Sequence, residues 1–75
     1  MKKRITLDMA QYDESAAVFR SLSSPARLKM LRRLVSKPAN ISELAEEFSL
    51  PLSTAAYHVQ VLEETGLIFT EGKPG

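Results

Sequence analysis

Cysteine is absent from this 75-residue chain, so disulfides, thiolate metal sites and cysteine nucleophiles are all excluded. Histidine is nearly absent. His58 stands alone, whereas a metal centre needs three or four ligands, and no metal or other cofactor is expected. There is no Gly-rich phosphate loop and no histidine paired with a nucleophile, and the chain is too short to enclose a pocket; an enzyme is not expected. No long apolar run follows the basic Met1-Lys2-Lys3-Arg4. That argues against a signal peptide, makes a membrane partner unexpected, and leaves the cytoplasm as the expected location. Internal repeats and low-complexity segments are missing too. What remains, 44% hydrophobic and 25% charged residues, is the composition of a packed domain rather than a disordered chain. A chain of this length makes one domain at most, burying about 60% of its unfolded surface.

The net charge of +1 hides an uneven distribution. Between Arg20 and Lys37 there is no acid, while Arg27, Lys29, Arg32 and Arg33 fall within that stretch. The acids gather at Asp13-Glu14, Glu43, Glu46-Glu47, Glu63-Glu64 and Glu71. Two faces of different charge are expected.

Apolar spacing predicts four helices. The first covers residues 9–22, with Tyr12, Ala16, Phe19 and Leu22 as its stripe and Asp8 or Asp13 as its cap. Ser24-Pro25 starts the second, since proline suits the first helical position and serine can bond the orphan amides. Leu28, Leu31, Leu34 and Val35 form its buried stripe, Lys29, Arg33 and Lys37 its opposite face, and Pro38 its stop. Ser42 caps a short third helix whose Leu44, Ala45 and Phe48 face inward. Ser49-Leu50-Pro51 makes a tight connection to a fourth helix over residues 52–65, which Gly66 ends in a left-handed cap. Residues 67–70 are β-prone, and a turn follows.

Two short helices joined by a tight turn, the second amphipathic, form a helix-turn-helix. On the last helix Ala55, His58, Val59 and Leu62 share one side. Ser53, Ala56, Tyr57, Gln60 and Glu64 share the other. Solvated helix faces favour lysine, glutamate and arginine, whereas this one is small and polar. Such a face suits a helix that enters the major groove, because small residues admit the backbone and hydroxyl and amide groups meet base edges. His58 belongs to the docked side, where a packed, hydrogen-bonded imidazole is expected. Tyr57 could instead serve a protein contact, as exposed tyrosines do at interfaces. The alternative function is therefore a protein–protein interaction module without DNA binding.

The stretches "SSPARLKMLRRLV" and "ISELAEEFSLPLSTAAYHVQVLEETGLI" resemble the winged helix-turn-helix domain of ArsR-type transcriptional repressors. The resemblance rests on Pro25, Arg27 and Leu28, on Leu44, Ala45 and Glu46, and on Ser53, Thr54, His58, Leu62, Gly66 and Leu67, with Val59 and Ile68 standing for leucine and valine. It implies a mainly α fold, four helices followed by a truncated β wing. It also implies a transcriptional repressor that binds double-stranded DNA as a homodimer, with dimer contacts from the first helix, which carries Tyr12 and Phe19, and from a C-terminal helix expected outside residues 1–75. DNA-binding positions would be Ser53, Thr54, Ala56, Tyr57 and Gln60, with Lys73 at the wing tip and the basic second helix adding attraction. The departures are Ala56 where many members carry serine and Tyr57 where they carry arginine or histidine. The positioning helix reads Glu43-Leu44-Ala45-Glu46-Glu47, without the cysteines of metal-sensing members. Residues 1–75 are expected to be one domain, the N-terminal part of a longer regulator. The β-prone segment at 67–70 is expected to present an unpaired edge.

Overall fold

The computed structural model describes residues 3–9 and 15–70. Strand β1 (Ile5–Leu7) is followed by helices α1 (Ala16–Leu22), α2 (Pro25–Ser36), α3 (Ile41–Glu47) and α4 (Leu52–Glu63), and by strand β2 (Ile68–Thr70). The fold is mainly helical, with a short two-stranded antiparallel sheet, as a winged helix-turn-helix requires.

The first helix is shorter than its expected span. Ser15, with extended backbone (φ −69°, ψ 163°), is the N-cap, and its side chain accepts from the Val18 amide at 3.2 Å. A helix cannot run through a residue in that conformation, so Ser15 and not Asp8 caps it; the other expected cap, Asp13, and Tyr12 lie outside the described residues. The inward side of α1 also differs from the expected stripe. Val18 and Ser21 are buried, and Phe19, expected in the stripe, is 79% exposed. Ser21 tolerates burial because its hydroxyl donates to the Val18 carbonyl at 2.9 Å.

Helix α2 begins as expected, Ser24 accepting from the Arg27 amide at 3.3 Å with Pro25 in the first turn. Its buried residues are Met30, Leu31 and Leu34. Leu28 and Val35, placed in the stripe by spacing, are 43% and 69% exposed. They flank a shallow apolar groove shared with Leu7, Leu22 and Leu67. The expected cap of α3 is also corrected. Asn40, not Ser42, accepts from the Glu43 amide at 2.8 Å, and the Glu43 carboxylate accepts from the Asn40 amide at 3.0 Å. This reciprocal capping box satisfies two otherwise orphaned amides.

The β-prone segment is not an isolated strand, because an N-terminal strand the periodicity did not signal pairs with one of its edges. β2 pairs antiparallel with β1, Ile5 opposite Thr70 and Leu7 opposite Ile68. On its other edge Ile5 bridges Ala39, donating to its carbonyl at 2.7 Å and accepting from its amide at 3.3 Å. Three segments distant in sequence thus meet at Ile5, which is buried with Ala39, Leu67 and Ile68. Met30, Leu44, Ala55 and Leu62 complete the core from α2, α3 and α4.

Candidate nucleic-acid interface

The α3–α4 turn sets the course of the last helix. Beyond α3, the Leu50 amide donates to the Ala45 carbonyl at 2.8 Å and the Ser49 amide to the Glu46 carbonyl at 3.2 Å. Ser49 has φ 55°, the left-handed conformation usually given to glycine here. Leu50 packs against the core beneath. Pro51 then opens α4 without a side-chain cap. Its carbonyl accepts from the Thr54 and Ala55 amides, both at 3.0 Å. No side chain caps the first turn of α4, and a helix N-terminus favours anions.

Along α4, Ala55, Val59 and Leu62 are buried. Ser53 and Gln60 are exposed, Tyr57 is 58% exposed, and Thr54 and Ala56 are half-buried. The structure thus brings Ser53, Tyr57 and Gln60 onto the exposed side of one helix, with Ala56 half-buried beside them. Lys73 lies outside the described residues. The expected end of this helix at residue 65 is two residues late. α4 stops at Glu63, because the buried Thr65 hydroxyl donates to the Leu62 carbonyl at 2.6 Å and accepts from the Leu67 amide at 2.9 Å. Gly66 then turns the chain at φ 80°, as its position predicted. Thr70 of β2 donates to the Glu63 carboxylate at 2.5 Å, holding that acid against the strand.

The basic block divides in two. Arg33, expected to add attraction for DNA, is committed elsewhere. Its Nε donates to Glu47 at 2.7 Å, its Nη2 to the same carboxylate at 3.2 Å and its Nη1 to the Lys37 carbonyl at 2.8 Å. This fork ties α2 to α3 and neutralises the charge. Arg20, Lys29, Arg32 and Lys37 remain exposed. Arg27 faces inward, and its Nη1 lies 3.2 Å from His58 Nδ1. His58 is half-buried, hydrogen-bonded and tilted against Tyr57, with ring centroids 5.8 Å apart. Burial, and secondarily the Arg27 charge, lower its pKa below the ordinary imidazole value. Among the described residues no group of three or more His, Asp or Glu could hold a metal ion. No helix among them is long and apolar enough to cross a membrane.

The capping box at Asn40 was within reach of sequence reasoning, since Asn-x-x-Glu before an apolar run is its signature. Nothing in the spacing of Arg27 and His58 announces their contact.

A family of helix-turn-helix domains matches residues 22–69. That span runs from the end of α1 through β2 and includes every described candidate residue. The chain is also 34% identical over 68 residues to an uncharacterized helix-turn-helix-type transcriptional regulator, YceK, of Bacillus subtilis (strain 168), covering 85% of this chain and 68% of the relative. No solved structure matches significantly.

Proposed function

Because the chain belongs to the helix-turn-helix domain family, we propose that it binds double-stranded DNA by laying the exposed face of α4 in the major groove. Membership in that family and similarity to a transcriptional regulator support DNA binding in transcription regulation. The finer reading is a repressor of the ArsR-like type, acting in the cytoplasm as a homodimer within a longer protein.

One observation carries the proposal. The inward face of α4 is fully used by Ala55, Val59 and Leu62, while its other face holds small and polar residues, of which Ser53, Tyr57 and Gln60 are exposed. Gln60 suits adenine, and Tyr57 can stack or hydrogen-bond at a base edge. Ser53 and Thr54, with the first amides of the helix, suit phosphate. Lys73, Arg20, Lys29, Arg32 and Lys37 supply sequence-independent attraction. Phe19, 79% exposed on α1, supports the first helix as a dimer contact. None of this calls for a reaction, and the reading is not an enzyme.

Titration of the protein with selected and unselected duplexes at several salt concentrations tests the proposal. The logarithm of the binding constant should fall linearly with the logarithm of salt, by roughly 0.9 per phosphate contact. Replacing Lys73 by alanine should flatten the slope by at most about one and weaken all sequences alike. Indifference to duplex DNA would favour a protein-interaction module instead.

A further inference from the structure

Arg27 is anchored at both ends of its guanidinium by groups from other helices. Its Nε donates to the Ser21 carbonyl at 3.1 Å, an orphan acceptor at the end of α1. Its Nη1 contacts His58 Nδ1 at 3.2 Å, on α4. One rigid fork on α2 therefore spans α1, α2 and α4, and a lysine cannot reproduce its geometry. An arginine only donates, so His58 Nδ1 must accept and the neutral ring carries its proton on Nε2. Protonating Nδ1 would remove the acceptor and set two positive charges face to face.

We propose that Arg27 is a positioning residue for DNA reading, acting through His58 to fix the roll of α4, and that DNA affinity falls when His58 is protonated. This rests on the reading of α4 as the groove-entering helix. His58 lies next to Tyr57 and within a turn of Gln60, so a rotation of α4 at His58 displaces both from the bases. Burial first, and the Arg27 charge second, disfavour the protonated imidazole. The other charged groups on elements packed against α4 are Arg20 on α1, Lys29, Arg32 and Arg33 on α2, and Glu43, Glu46 and Glu47 on α3. Arg20, Lys29, Arg32 and the three glutamates are exposed, and Arg33 is held by Glu47. β2 carries no charge.

The test compares wild type, Arg27→Lys and His58→Asn in titrations of a duplex selected from a random pool by the wild-type protein, and of an unselected duplex. Asparagine keeps an acceptor near the Nδ1 position and does not titrate. As pH drops from above the ordinary imidazole value of about 6.5 through the lowered value of His58, wild-type affinity for the selected duplex should fall by at least about fivefold. His58→Asn, which does not titrate, should lose that dependence. Arg27→Lys should lose a similar factor on the selected duplex and less on the unselected one. Nitrogen NMR of the imidazole should show the Nε2–H tautomer in wild type and a mixture in Arg27→Lys; if that variant fails to fold, the wild-type spectrum and pH profile decide.

A flat profile, or a profile that His58→Asn retains, would overturn the positioning role while leaving the DNA reading intact. Affinity that rises with acid would also overturn it, since an imidazolium would then be meeting phosphate. Failure of wild type to bind any duplex at low salt would overturn the reading of α4 itself, and this inference with it.

Discussion

Gln60 and Leu62 stand two positions apart on α4, one exposed and one fully buried, and substitution should separate their roles. Gln60→Ala should cost about 1–3 kcal/mol on a selected duplex and little on random DNA. Its effect on folding should stay within about 0.5 kcal/mol, and the same limit holds for Tyr57→Ala. Leu62→Ala should instead cost about 2–5 kcal/mol of stability. Thermal melts paired with titrations measure both quantities. His58 adds a pH term. Its lowered pKa means that the native state binds the proton less readily than the unfolded chain. The contribution is therefore whole above the unfolded value of about 6.5 and is lost as pH falls through the folded one. Melting temperatures of wild type and His58→Asn should diverge in that window, with wild type losing more. The faces of α4 were legible in the sequence because helical periodicity alone separates Ala55, Val59 and Leu62 from Ser53, Tyr57 and Gln60. The Arg27–His58 contact was not, since pairing across 31 positions depends on how α2 crosses α4.

At the scale of elements, the ends of helices decide how α3 presents α4. Ser49 holds a left-handed conformation at φ 55°, which costs a residue with a side chain about 1–2 kcal/mol. Ser49→Gly removes that cost but adds unfolded-chain entropy, so a net gain of roughly 0.5–1 kcal/mol is expected in chemical denaturation. Asn40→Ala breaks the capping box and should lose about 1 kcal/mol in the same measurement. Helix starts were readable where one residue type dominates, as at Ser24-Pro25. They were misread where two candidates stood close together: Ser42 and Asn40 both have capping chemistry, and only the extended backbone of Asn40 (φ −99°, ψ 172°) allows the role. The stripes of α1 and α2 also slipped. α1, beginning only at Ala16, is about two turns long, too short for periodicity to fix its inward side, and Val18 and Ser21 rather than Phe19 face the core. In α2 the groove beside Leu7 and Leu67 left Leu28 and Val35 partly uncovered.

For the whole molecule, the missing piece of the sequence reading was β1. A three-residue strand gives almost no periodic signal, and its partners are remote in sequence. Its importance should show in Ile5→Ala, which removes a fully buried side chain from the junction of β1, β2 and Ala39 and should cost about 2–5 kcal/mol in thermal or chemical melts. The same strand has a consequence for how the protein is made. Ile5 leaves the ribosome first, yet its partner Thr70 follows several seconds later at about 5–20 residues per second. During that interval the helices can form by local contacts, but the segment around Ile5 has no β2 to join. A nascent chain arrested before Leu67 should therefore carry helical content while leaving the Asp8 amide, whose acceptor is the Leu67 carbonyl, open to exchange, and protection there should appear only once that segment has been synthesised.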